Sequence, residues 1–216
     1  MTSIILPTKN EEESIGWTID IIRNICNYRI IVVDGHSIDK TVEIAKKKGV
    51  KVIYDNKKGK GDALITAFNY TNDAVIFVDC DKTYPLDKIP EFIDVLNDGF
   101  DVVIGERVKF NKNSLSKIYL IGDFLSRFLF KIVYRKSSDN LSGFRALSKQ
   151  AIEKMNLTSN GFGIETEISA KAIALNMKIK KIPISYNPRA VTTKFNPFID
   201  GFVVIKTIIV CRLKYL

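Results

Sequence analysis

Five short apolar runs mark the first half of the chain: "SIILP" (3–7), "RIIVVDG" (29–35), "KVIYD" (51–55), "AVIFVDCD" (74–81) and "DVVIGER" (101–107). They are rich in β-branched residues and alternate little with polar ones, which suits strands buried on both faces of a parallel sheet. Between them apolar positions recur at helical spacing over 11–26, 39–48, 61–71 and 86–97. Ser14, Asp39 and Asp62 stand where caps or first-turn residues belong, Gly49 where the second helix stops, and Pro85 where the fourth starts. Strand and helix in alternation predict right-handed βαβ units and an open α/β sheet. Ligands of such sheets bind beyond the carboxyl ends of the strands, where "PTKNEE", "DGHSID", "DNKKGKG" and "DCDKT" fall.

The second half has a different texture. From Leu115 to Lys136 large apolar side chains are interleaved with Lys117, Arg127, Lys131, Arg135 and Lys136. The stretch "SSDNLSGFRALS" then connects to helical patterns at 149–156 and 164–176, and "KIKKIPISY" (178–186) reads as a strand. The tail at 198–216 is apolar on most sides yet carries Asp200, Lys206, Arg212 and Lys214. No uninterrupted apolar run reaches the ~18 residues that a membrane span needs.

At 216 residues the chain is expected to be one domain (1–216) with a real core. Cys26, Cys80 and Cys211 are far apart, which argues against a disulfide framework or a structural zinc site and suits a reducing interior. The opening "MTSIILPTKNEEE" has no basic leader pattern, so no signal peptide is expected. The net charge of +9 leaves nucleic acid, anionic lipid, phosphorylated small molecules or a merely well-solvated surface open.

Candidate chemistry narrows that range. Asp79 and Asp81, one residue apart where a strand frays into a loop, can both turn towards one site. Hard divalent cations take such oxygen ligands and share them with substrate phosphates; the alternative is that the pair caps the following helix. Asp34 ends the second strand, Asn10 and Glu11 end the first, and "KKGKGDA" (57–63) offers glycines and lysines to phosphates without the Walker pattern. His36, the only histidine, is left without a role. Clustered carboxylates repel a phosphate backbone, so a nucleic-acid partner is not expected.

Taken in order, "ILPTKNEEESI", "IIVVDGHSIDKT", "KKGKGDAL", "VIFVDCDKTYP", "VVIGER", "DNLSGFRA", "GFGIETEI" and "IPISYNPRAVTTKF" resemble glycosyltransferase family 2 over nearly the whole chain, most of all its dolichyl-phosphate mannose synthase branch. The resemblance implies a GT-A fold with a Rossmann-like, mostly parallel sheet, and an inverting transfer assisted by Mg²⁺ or Mn²⁺. It implies a nucleotide-sugar site at Pro7, Thr8, Asn10, Glu11, Asp34, Gly61, Asp62, Asp79, Cys80 and Asp81, closed by the basic pair Arg189 and Lys194. Asp79 and Asp81 would hold the metal, with Thr83 where the branch has a Gln-type ligand. Arg107, Ser142 and Arg145 match residues near an acceptor phosphate, and Glu165 and Glu167 match the family's ExE. Asp79, Asp81 and Arg107 are the expected catalytic residues.

Two departures touch the nucleotide side: Gly35 replaces a common second aspartate, and Thr193, Lys194 and Phe195 stand where Ser-Lys-Leu is usual. The base and the sugar therefore stay open between GDP-mannose and UDP-sugars. The implied acceptor is a polyprenyl or dolichyl phosphate, already an anion and in need of no general base. On this reading 1–107 is the nucleotide-sugar half, 108–197 the acceptor half and 198–216 an amphipathic helix. The 115–136 and 198–216 helices would lie on the membrane surface, at the inner face of the cell membrane, or form core or a homodimer interface. A family 2 enzyme acting on a soluble or lipid-linked glycan, or a lipid- or nucleic-acid-binding module, are the alternatives.

Overall fold

The computed structural model describes residues 2–111, 116–188 and 194–215. Its strands are β1 (Thr2–Thr8), β2 (Arg29–Asp34), β3 (Lys51–Tyr54), β4 (Ala74–Phe77), β5 (Val102–Phe110), β6 (Arg145–Leu147) and β7 (Ile179–Tyr186). The helices are α1 (Ile15–Ile25), α2 (Thr41–Lys47), α3 (Lys60–Tyr70), α4 (Ile89–Asn97), α5 (Lys117–Tyr134), α6 (Lys149–Met155), α7 (Ile164–Ala174) and α8 (Ile199–Tyr215). One seven-stranded sheet runs in the order β3-β2-β1-β4-β6-β5-β7. β6 pairs antiparallel with both neighbours, β4 and β5, and the remaining pairings are parallel.

β1, β2 and β4 are buried on both faces, as their composition requires, whereas β3, at the edge of the sheet, leaves Lys51 and Tyr54 exposed. Ile15, Ile19 and Ile22 of α1 and Ile89, Phe92 and Ile93 of α4 pack on one face. Leu64 and Phe68 of α3, Met155 of α6 and Ile164 and Ile168 of α7 cover the other. A smaller apolar cluster joins α5, α7 and α8 through Phe130, Tyr134, Ala170, Val204 and Ile208.

Two local expectations change. The "RAL" of β6 belongs to a stretch expected to be a connection, yet it sits at the middle of the sheet; three residues are too few to carry a period. Ser14 does not cap α1 with its side chain: its hydroxyl donates to the carbonyl and carboxylate of Glu11 instead. Asp62 does stand in the first turn of α3, and its carboxylate accepts from the backbone of Asn56 and Lys58 and shapes the loop before the helix. Asp39 does serve α2, accepting the Thr41 N–H at 3.0 Å.

Candidate active site

Two cavities open beyond the carboxyl ends of β1, β2 and β4. The smaller, about 280 Å³, is walled by Pro7, Thr8, Glu11, Cys80, Asp81 and Lys194 among others. The larger, about 810 Å³, is an apolar groove between α5 and α8, with Leu125, Phe128, Phe195, Phe202 and Ile205 in its walls and Arg107 at its polar end. Lys60, Asp79 and Phe162 line both, so the two spaces meet at a lysine–aspartate pair.

β4 ends at Phe77, and the chain then turns so that Asp79 and Asp81 stand past the sheet edge. Asp81 is buried, and its Oδ1 accepts the backbone N–H of Thr83 at 3.1 Å and the Thr83 hydroxyl at 2.5 Å. Asp79 Oδ1 lies 2.5 Å from Lys60 Nζ, which also lies 2.7 Å from Glu165 Oε1 at the start of α7. Burial alone would depress the Lys60 ammonium, but the two carboxylates outweigh it and hold it protonated above the usual lysine range. A methyl group at Gly143 would collide with Asp79 Oδ2 and crowd Lys60 Nζ, so a larger residue there would push this pair aside.

Other residues expected at the nucleotide side build the loops around it. Asp34 is fully buried and accepts from Ser37 N–H at 2.8 Å, the Ser37 hydroxyl at 2.6 Å and the Thr8 hydroxyl at 3.3 Å. It fixes the β2 loop and lines neither cavity. Asn10 accepts the Ile38 N–H and donates its own N–H to Ser37, tying the first two loops together. Lys194 reaches over the smaller cavity to the Lys9 carbonyl and to Glu11 Oε1, 2.6 Å away. Arg189 lies outside the described residues.

Gly61 lets α3 dock backbone to backbone on the connection before α7, where Asp62 N–H donates to the Asn160 carbonyl at 2.8 Å. A methyl group there would collide with the Ser159 carbonyl oxygen and lie 2.8 Å from its carbon. Gly61→Ala is therefore expected to cost about 1–3 kcal/mol, as overpacking does, and to displace Lys60 next to it. Urea denaturation measures the first effect, and nucleoside diphosphate affinity the second.

The acceptor-side expectations divide. Arg107 is at the groove, but Nε and Nη2 are gripped by Asp139 at 2.7 and 2.6 Å, and Nη2 also reaches Asp123 at 2.6 Å. Burial opposes its charge, yet these carboxylates hold it well above its ordinary range. Arg127 Nη2 stands 2.7 Å from Asp139 Oδ2 in a geometry that gives an ion pair but no hydrogen bond. Arg145 is fully buried: it donates to the carbonyls of Ser142 and Asp139 and to the Ser169 hydroxyl, and burial pulls its pKa down to about 10. Ser142 is fully buried too and accepts from Phe144 N–H. Neither lines either cavity. Glu167 is likewise structural, accepting from Thr158 and Ser159 and pairing with Lys171 at 2.6 Å.

Sequence reasoning missed Lys60 as an individual, and it missed the cage of Asp123, Arg127 and Asp139. One signal was present: Asp123 and Arg127 stand four apart inside an otherwise apolar stretch, where an ion pair buried at a helix face belongs.

Comparison with known proteins points the same way. The model of the family described as "Glycosyl transferase family 2" matches residues 3–155. A dolichyl-phosphate hexose transferase of Haloferax volcanii is 32% identical over 211 residues, 96% of this chain and 92% of that protein. A dolichol-phosphate mannosyltransferase of Pyrococcus furiosus is 33% identical over 202 residues, 87% of this chain and 57% of that longer protein. The crystal structure of glucosyl-3-phosphoglycerate synthase from Mycobacterium tuberculosis, in complex with Mn²⁺, UDP and phosphoglyceric acid, superposes with a TM-score of 0.78 at 22% identity, covering 98% of this chain and 78% of that one. The chain belongs to glycosyltransferase family 2 and is a glycosyltransferase with a mostly parallel, helix-flanked GT-A sheet.

Proposed function

We propose that this enzyme transfers a sugar, with inversion, from a nucleotide sugar to a polyprenyl or dolichyl phosphate at a membrane surface. The donor is GDP-mannose or a UDP-hexose or UDP-GlcNAc. The observation that carries the reading is the junction: a polar cavity and a long apolar groove meet at Lys60 and Asp79. A donor diphosphate suits the first space. A lipid chain suits the second, with its phosphate at the polar end beside Lys60 and Arg107. The names of the Haloferax and Pyrococcus relatives support the acceptor class, and the Mn²⁺ and UDP of the mycobacterial structure support a metal-assisted nucleotide donor.

Asp79 and Asp81 would hold Mg²⁺ or Mn²⁺. Among the described residues no group of three or more His, Cys, Asp or Glu forms a cage, which fits a cation completed by substrate phosphate oxygens. When bound, such a cation neutralises charge growing on the departing diphosphate. The chain's own part is to align the two substrates end to end at the junction and to bring Lys194 over the donor side. The acceptor phosphate arrives ionised, so no side chain has to take its proton.

The membrane reading rests on α5 and α8. Ile121, Phe124, Phe128 and Ile132 of α5 and Ile199, Phe202, Ile209 and Leu213 of α8 are exposed. Every exposed charge on the two helices is basic (Lys117, Lys131, Lys206, Arg212 and Lys214), while Asp123 is buried and Asp200 is bonded to Asn196 N–H. Among the described residues no helix is long and apolar enough to cross a membrane. A face that is apolar with a basic fringe lies in the interface, gaining roughly 1 kcal/mol per basic residue near anionic lipid. In this reading the enzyme is peripheral at the cytoplasmic face.

The test uses Phe202→Asp, which puts a charge at the groove lip. Transfer from radiolabelled nucleotide sugar to a long-chain polyprenyl phosphate in anionic liposomes should fall by about tenfold or more, the cost of a charge in an apolar interface. The Michaelis constant for the donor should hardly move. Equal use of a free glycan or a short water-soluble prenyl phosphate by the wild type would defeat the lipid assignment. A variant that loses only dimerisation would make the face a subunit interface.

A further inference from the structure

Lys60 occupies the place where the metal reading needs a cation. Its ammonium is 2.5 Å from Asp79 Oδ1, and Glu165, 2.7 Å away and almost fully buried at the start of α7, anchors it from the other side. The other Asp79 oxygen abuts the Gly143 backbone. Asp81 Oδ1 is meanwhile taken by the Thr83 hydroxyl and N–H. In the free protein Asp79 is thus already served by an internal positive charge, while Asp81 is held by its own loop. A divalent cation approaching alone meets that charge at contact distance and must take Asp79 away from it. A donor diphosphate changes the balance, because it brings negative charge both for the cation and for the displaced ammonium.

We propose that Lys60, held by Glu165, is a positioning residue that stands in for the metal at Asp79 and keeps the free enzyme from loading a divalent cation before the nucleotide arrives. Lys60 then makes metal and donor bind together, and it keeps Asp79 oriented towards the junction meanwhile. The inference rests on the reading of Asp79 and Asp81 as the cation-holding pair.

The experiment measures Mn²⁺ binding directly, by the electron paramagnetic resonance of free Mn²⁺, with no acceptor and no turnover. Wild type, Lys60→Met and Lys60→Arg are compared with and without UDP or GDP. Without nucleotide, Lys60→Met should bind Mn²⁺ about tenfold more tightly than wild type, since a unit charge beside the ligand has gone. Lys60→Arg, which keeps the charge, should stay near wild type. With nucleoside diphosphate the gap should close to about twofold. Removing Lys60 leaves Glu165 buried and unpaired, so the double variant Lys60→Met/Glu165→Gln is measured too, with a thermal scan to verify folding. The same tightening there excludes Glu165 as a newly recruited ligand. If, without nucleotide, Lys60→Met and the double variant bind Mn²⁺ no better than wild type, while wild type does bind it with nucleotide, the gate is refuted and the metal site stands. If wild type binds no Mn²⁺ even with nucleotide, the carboxylate pair is not a metal site and the gate goes with it.

Discussion

Asp81→Asn should reduce sugar transfer by about three orders of magnitude or more while leaving the protein folded. A metal-supported leaving group is worth several kcal/mol of transition-state stabilisation, and every 1.4 kcal/mol or so is tenfold in rate. Asn is the better first substitution because Asp81 is 3% exposed and packed. It keeps the volume and an oxygen for the Thr83 hydroxyl and N–H, both local partners two residues away. Alanine would add a cavity to the loss of the charge. The measurement is single-turnover transfer with Mn²⁺ or Mg²⁺ in excess, beside the wild type in EDTA. Turnover near the wild-type level in the variant, or undiminished turnover in EDTA, would remove the metal from the mechanism.

The second large effect is on stability. Asp139 is fully buried and accepts from Arg107 Nε, Nη2 and backbone N–H at 2.7, 2.6 and 3.0 Å, with Arg127 Nη2 another 2.7 Å away. Asp139→Asn leaves two guanidinium groups to share Asp123, and breaking a buried pair on one side costs about 3–5 kcal/mol. Burial would raise the Asp139 pKa, but the charge and hydrogen bonds of Arg107, joined by Arg127, hold it down to about 2. A depressed carboxylate pKa contributes stability that is present above the unfolded value near 3.9 and is lost as pH falls through the folded one. Urea denaturation should therefore show a wide gap between wild type and variant at pH 7 that narrows from about pH 4 downwards. A gap that stays constant with pH would mean that packing, and not the carboxylate charge, is what the substitution removes. The cage also joins α5 to β5 through Asp123 and Arg107, so the groove wall should loosen in the same variant.

Most of the scaffold could be read from the chain because burial on two faces, or on one, leaves a local period. The runs at 3–7, 29–35, 51–55, 74–81 and 101–107 became β1 to β5, and 164–176 became α7 with its buried faces. The DxD pair was legible for the same reason: a strand that ends at Phe77 must deliver its next few residues to the sheet edge. The family pattern, too, lies in the order of its motifs. Three-residue β6 had no period to detect, and its place between β4 and β5 is set by pairings with residues over 40 positions away.

What the chain alone could not assign is which polar group lines a cavity and which is sealed inside. Asp34 and Arg145 look as functional in sequence as Asp79 does. Their side chains are consumed by Ser37 and Thr8 in one case, and by Ser142, Asp139 and Ser169 in the other. Lys60 seemed one lysine of three in a glycine-rich loop, until folding set it between Asp79 and a glutamate from α7. The physical reason is one of range. Hydrophobic burial is averaged over many neighbours and imprints a local pattern, whereas a hydrogen bond or ion pair is decided within a few tenths of an ångström by whichever distant residue the fold brings there.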